Sequence, residues 1–190
     1  MASITREEVI SALKNIRLKI IFKGMDLAGL DLSQLDLRDI DLSGANLEYA
    51  NLTHANLFKA DLSKANMTGA IALYADFRSA KLNGAILTQA NLRGANLDGS
   101  KLAGANLYQT NLMRVTLRGA SDLSQADLRH AELNGAKLYW VNLSGSDLRG
   151  TDLRRALMRQ ANVQGARYDD QTQWPDGVTP GLLGAVKVDS

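Results

Sequence analysis

The sequence predicts an all-β solenoid, a chain that turns a corner once in every five residues. Three observations carry that expectation. An apolar residue recurs at every fifth position from Leu27 through Leu32, Leu37, Leu42 and Leu47 to Leu117, and again from Leu123 to Tyr168. Two positions before it stands a small residue, as at Ala45, Ala50 and Ala55, with a polar residue between them, most often Asn or Asp. The last two positions of each unit are polar or Gly. Residues 25–119 and 121–170 hold 29 such units, with Leu central in 23 and Ala small in 18, which chance does not produce.

Neither regular period accommodates this spacing. In an α-helix every fifth residue lies about 140° further round, so the leucines would cover the whole surface. In a flat strand every fifth residue changes face. Both conflicts vanish if each unit runs small-in, polar-out, leucine-in and then turns. Twelve units end in Gly, which suits a turn position of positive φ. Stacked units would then line up their leucines in one interior column.

A unit of Ala, Asp or Asn, Leu and two variable residues resembles the repeat of the pentapeptide-repeat family, over about residues 25–170. The resemblance implies a right-handed quadrilateral (four-sided) parallel β-helix. Four units to a coil would make about seven coils, a rod roughly 35 Å long at the ~4.8 Å spacing of paired strands. A non-enzymatic role is expected, because the residues offer a rod with patterned sides and no reactive centre. Some members resemble duplex DNA and bind DNA gyrase, but that mimicry needs a continuous acidic surface.

Residues 1–24 are expected to form an N-terminal capping helix. Thr5-Arg6-Glu7-Glu8 has the form of a capping box, Ile4 and Val9 are placed as a hydrophobic staple, and Val9, Ile10, Leu13, Ile16 and Ile20 follow helical spacing, so the helix is read over about 6–19. Met25, Leu30, Leu35 and Ile40 occupy the small positions of the first coil, where bulk is in place if that coil meets a helix. A rival reading takes the basic residues Lys14, Arg17, Lys19 and Lys23 as a membrane-surface or partner-binding face. Residues 171–190 are expected to be a capping segment and tail, similar to one that follows the repeats in cyanobacterial members of the family. There Trp174 covers the last leucine layer, Pro175-Asp176-Gly177 turns the chain, and 178–190 is loosely held. Two defects interrupt the body. Ala72 lacks the central leucine beside apolar Ile71, Leu73 and Tyr74, through either a register shift or a thin spot with an apolar patch outside. One extra residue near Ala120–Ser121 is expected to bulge.

Composition excludes much chemistry. The chain of 190 residues has no Cys and two His, so disulfides and thiolate sites are impossible and a histidine centre is implausible. His54 and His130 fall on turn positions. Asp26, Asp31, Asp36 and Asp41 fall on successive sides of a four-sided coil and are not expected to share a metal or a proton. No catalytic residue and no cofactor or metal site is therefore assigned. Asn51-Leu52-Thr53 and Asn142-Leu143-Ser144 match a glycosylation motif that the repeat generates by itself.

What the sequence offers is surface. Stacking every fourth unit puts Arg38, Phe58, Arg78, Asp98, Arg118, Tyr139 and Arg159 on one side, with Trp140 beside Tyr139. The opposite side carries Glu48, Tyr108, Arg129 and Arg149, and a third is nearly featureless. Net charge is +2, distributed as −4 over residues 25–80 and +6 over 81–168. Exposed Arg, Tyr and Trp anchor interfaces, so Arg118, Lys137, Tyr139, Trp140 and Arg159 form the candidate interaction patch for an unidentified protein partner. The other readings are an inert structural scaffold and a DNA-mimicking gyrase binder, the latter opposed by the positive charge. Nucleic acid is not an expected partner, because the basic residues spread over several sides. Without a secretory pattern or a membrane-length apolar run, the expectation is a cytoplasmic protein, monomeric because both ends are capped.

Overall fold

The computed structural model describes residues 4–14 and 22–189. Backbone bridges join residues twenty apart, all parallel: Asp26 to Asn46, Asn46 to Asn66, Asn66 to Ile86 and onward to Asp76–Asn96 and Lys81–Lys101. Twenty residues are four units, so each coil has four sides, named here by their first central residues Leu27, Leu32, Leu37 and Leu42. The central and small positions are almost entirely buried from Leu27 to Val163, and they form one continuous core.

The repeat's composition follows from its five N–H groups. In the unit Ala45–Tyr49, the N–H of Asn46 donates to the Met25 carbonyl in the coil before, while those of Leu47 and Tyr49 donate to Asn66 and Thr68 in the coil after. The N–H of the next unit's first residue, Ala50, closes the turn onto Leu47. That leaves Glu48, whose N–H donates to Oδ1 of Asn46 at 3.2 Å. The same Asx bond recurs at Ser33 to Asp31, Thr53 to Asn51 and Asp98 to Asn96. Asn or Asp therefore satisfies a donor that no neighbouring coil reaches. Asn adds a second bond along the rod, as from Nδ2 of Asn46 to Asp26 and of Asn142 to Asp122.

The last residue of every regular unit has positive φ, near +55° to +71°, whether it is Gly or a side-chain-bearing residue such as Tyr49, His54, Tyr74 or Trp140. At several corners where a bulky residue leans along the rod, the next coil supplies Gly. A Cβ on Gly94 would meet the Tyr74 ring at 2.6 Å, and one on Gly150 would meet His130 at 2.4 Å. Where the small position is not Ala, a hydroxyl is tolerated because it donates to a core carbonyl: Thr110 to Leu87, Thr151 to Leu128 and Ser146 to Leu143.

Helix α1 covers Arg6–Lys14. The capping box forms in both directions, with Thr5 N–H donating to Glu8 Oε2 at 2.7 Å and Glu8 N–H to Thr5 Oγ1 at 3.2 Å. Val9 and Ala12 are buried, and Ile4, Leu13, Met25, Leu30 and Leu35 pack against the same core. Arg6 donates to the carbonyls of Asp31 and Ser33 in the first coil. The expected continuation over 15–19, with Ile16, Arg17 and Lys19, lies outside the described residues, as does Ile20.

At Ala72 the register does not shift. Ile71 bridges Asn51 and Asn91, Ala72 is fully buried, and Ile71 and Tyr74 are exposed, so the thin-spot alternative holds. Tyr74 stacks on His54 at 5.4 Å. At Ala120 the bridge spacing lengthens by one, from Lys101 to Asp122. The bulge is stitched down: Ser121 Oγ accepts from Gly99 N–H at 2.9 Å, and Lys101 Nζ donates to the Ala120 carbonyl.

The C-terminal end corrects the sequence reading in two ways. First, the repeat does not end at Tyr168. A second extra residue lies before Thr172, so that Asp152 bridges Gln173 and Thr172-Gln173-Trp174 takes the small, polar and central positions of another unit. Thr172 Oγ1 donates to the Leu148 carbonyl, and Trp174 packs edge-on to Tyr168 at 5.6 Å. Second, residues 178–189 are not loose. Strand β1 (Arg167–Tyr168) pairs with β2 (Val186–Lys187), joined through a 3-10 helix over Pro180–Leu183. The tail is held because it continues the Leu27 side by one more rung.

Asp169 organises this end. It is 6% exposed, its Oδ1 accepts from the N–H groups of Gly150, Gln171 and Thr172, and its own N–H donates to the Thr172 hydroxyl. Burial raises its pKa, but the hydrogen bonds outweigh that and hold it below its ordinary value. A depressed folded pKa stabilises above the unfolded value and is lost as pH falls through the folded one. The C-terminal unit is therefore expected to loosen below about pH 3.8, read by Trp174 fluorescence in a Trp140→Phe background. Asp169→Ala is expected to cost this end on the order of 3 kcal/mol by orphaning its donors and to abolish that pH transition. A transition unchanged by the substitution would contradict the assignment.

Candidate functional site

The upper part of the Leu37 side departs from the repeat in two stacked units, 136–140 and 156–160. Lys137 and Leu157 stand in the Asn/Asp position and bridge one another. Neither can accept the N–H two residues on, so the N–H groups of Tyr139 and Arg159 have no hydrogen-bond partner among the described residues. One coil earlier, Thr116 also fills the Asn/Asp position, and there Asp98 compensates by accepting the Arg118 N–H at 2.8 Å.

The five predicted patch residues are all on this side but behave differently. Arg118 is committed to Asp98, with Nη2 at 2.9 Å from the carboxylate, and that hydrogen bond raises its pKa above the ordinary value. Tyr139 is half-buried and lies 6.1 Å from Trp140, which is 57% exposed at a corner. Lys137 and Arg159 are exposed and have no ion-pair partner among the described residues. Tyr139 and Arg159 line a groove of about 330 Å³ together with Leu157, Met158, Pro175 and Val178. Arg118, Lys137 and Trp140 do not line it.

The apolar floor was not singled out from the sequence. Its signal was Ala156-Leu157-Met158, where an aliphatic residue replaces the outward polar one. The other wall, Pro175 to Leu183, required the path of the C-terminal segment. On the opposite side Arg129 stacks on Tyr108 at 5.5 Å, but Arg129 and Arg149 are each paired with the Asp two residues before them. That ladder neutralises itself. Among the described residues no group of three His, Asp or Glu is placed to hold a metal ion, and no helix is long and apolar enough to cross a membrane.

A four-sided coil of five-residue units with a patterned exterior defines a class of repeat solenoid. The chain belongs to the pentapeptide-repeat family: the family description Pentapeptide repeats matches in eight copies, in overlapping stretches from residue 36 to residue 167. No curated protein sequence matches the chain. Among solved structures, full-length QnrB1, a plasmid-mediated fluoroquinolone resistance protein, is 21% identical over 87% of this chain and 90% of its own, with a TM-score of 0.54. That likeness shows the fold, the quadrilateral β-helix of the family. A pentapeptide repeat protein from the Arabidopsis thaliana thylakoid lumen is 31% identical over 60% of this chain and 72% of its own, with a TM-score of 0.43. HetL, involved in heterocyst differentiation regulation in the cyanobacterium Nostoc sp. strain PCC 7120, is 30% identical over 98% of this chain and 94% of its own, with a TM-score of 0.29.

Proposed function

We propose that this chain is a non-enzymatic protein-binding rod of about seven coils, closed by α1 at one end and by the C-terminal segment at the other, which engages its partner through the upper Leu37 side. The observation that carries the reading is the juxtaposition of half-buried Tyr139, unpaired Arg159 and exposed Trp140 beside an apolar groove. Aromatic and arginine anchors around a desolvated pocket are what interface energy concentrates on. Arg118 and Lys137 extend the same surface, Arg118 as a fixed ion pair and Lys137 as a free charge.

DNA mimicry is not proposed. The coils around the groove belong to the +6 segment, the opposite of a phosphate-like surface.

Simultaneous replacement of Tyr139, Trp140 and Arg159 by Ala is expected to abolish capture of the native partner from lysate while leaving the far-UV circular dichroism unchanged. Undiminished capture would remove the patch from consideration. The monomer is the expected state in light scattering, since α1 covers one end and the returning C-terminal segment pairs with Arg167–Tyr168 at the other.

A further inference from the structure

The unit 156–160 is the last on the Leu37 side, and among the described residues no backbone pairs with its outer edge. In the coil beneath, three bonds complete the equivalent unit: the Ala136 carbonyl accepts from Leu157 N–H, Leu138 N–H donates to the Leu157 carbonyl, and Trp140 N–H donates to the Arg159 carbonyl. Their counterparts one coil up, the Ala156 carbonyl and the N–H groups of Met158 and Gln160, make no such bond among the described residues. The covering chain has departed. Gln173 still pairs with Thr151 and Leu153 on the preceding side, but from Pro175 the chain swings away and rejoins the coil path only where the Gly184 carbonyl meets Gly165 N–H. The groove floored by Leu157 and Met158 and walled by Pro175 and Val178 is the space this detour leaves.

Resting on the reading that this side binds a protein, we propose that the groove receives an extended acidic peptide segment carrying an aliphatic side chain, which adds to the open edge as the next rung. Strand addition uses main-chain bonds for affinity and a pocket for an alternate side chain. Here the edge presents donors and an acceptor in the register that the coil beneath fills, and the apolar floor supplies the pocket. The sign of the charge follows from Arg159, which lines the groove, and from Lys137, which bridges Leu157, and Arg155, which precedes Ala156 in the chain. Lys137, Arg155 and Arg159 have no ion-pair partner among the described residues, whereas Arg78, Arg118, Arg129, Arg149 and Arg154 are each tied to an Asp. Asp176 is the single carboxylate lining the groove. Complementary carboxylates on the peptide would meet the three free cations, with the open Arg159 N–H as a further donor to them. An aliphatic floor does not suit a nucleic acid, whose contacts are to phosphates and base edges.

The test titrates the full chain with a short fluorescein-labelled peptide of repeated Glu-Leu-Asp and reads anisotropy. Binding is expected. It should weaken about tenfold in a Lys137→Ala, Arg159→Ala double variant, as loss of interfacial charge pairs does. The uncharged Gln-Leu-Asn peptide and a backbone N-methylated Glu-Leu-Asp peptide should both fail to bind. Leu157→Asn, which restores the repeat's own residue and gives Arg159 N–H an acceptor, should keep or improve thermal stability while weakening the peptide. Equal binding of the uncharged or the N-methylated peptide would overturn the proposal. So would patch-dependent capture by phosphatidylserine vesicles or duplex DNA in place of the peptide. If peptide binding fails while Tyr139, Trp140 and Arg159 remain necessary for partner capture, the edge-binding mode alone is wrong. If both fail, the interaction reading falls as well.

Discussion

Deleting Asn83 alone is expected to unfold the middle of the rod, whereas deleting residues 46–65 together is expected to leave it folded and one coil shorter. Asn83 is exposed, so its own side chain is not the reason. Its removal moves every following residue back one position. Leucines enter the outward place, polar residues enter the core, and the carbonyls meant for the next coil no longer face donors. Residues 46–65 span one full twenty-residue turn, so their loss preserves both side and position. Ala45 then precedes Asn66, which inherits the bond that Asn46 makes to Asp26. Lys81 comes to lie over Asp41 instead of its present partner Asp61. Because each coil touches only its neighbours, the shortened rod loses one coil's share of stability and no more. A third deletion sharpens the contrast. Ala120 is an extra residue within the body of the rod, and Gly99 N–H already reaches the Arg118 carbonyl that a regular coil would use. Removing Ala120 is expected to cost about 1 kcal/mol or less. Thermal unfolding followed by circular dichroism, with limited proteolysis, separates the three. Comparable damage from deleting Asn83 and Ala120 would refute the register account.

The second large effect is expected at Phe77. One coil holds Met67, Ala72 and Phe77 at consecutive central positions where most others hold Leu, and all three are fully buried. Ala in place of Leu removes three side-chain carbons from the column, and the larger Phe77 ring one corner further on is expected to occupy part of that space. Phe77→Ala is expected to cost about 3–5 kcal/mol, because two adjacent corners would then be empty in a core that relaxes only partly. Ala72→Leu alone is expected to destabilise by about 1–3 kcal/mol through overpacking against the ring. Ala72→Leu combined with Phe77→Leu restores the ordinary coil and should recover most of that loss, giving a coupling well outside additivity. Urea midpoints with unchanged m-values measure it. Strictly additive effects would mean that the two corners pack independently.

Most of the architecture was readable in the chain because a five-residue period is incompatible with any helix or flat strand. The spacing of Leu27, Leu32, Leu37 and Leu42 therefore settled inward and outward positions without reference to contacts. The capping box was equally local, since Thr5 and Glu8 need only each other. The Asn/Asp position was read as polar and outward, but its hydrogen bond to the residue two further on emerged only with the coil, once the other N–H groups were accounted for.

The errors lay where distant segments meet. The sequence by itself determined the period, the buried columns and the side on which Arg118, Tyr139, Trp140 and Arg159 fall, because those depend on counting along the chain. Only the tertiary structure decided that Thr172-Gln173-Trp174 resumes the repeat, that Val186–Lys187 returns to pair with Arg167–Tyr168, and that Pro175 leaves unit 156–160 bare. Each of these depends on which backbone groups an adjacent coil satisfies, and that pairing is non-local: a donor at Met158 is open or closed according to where a segment some twenty residues later happens to run.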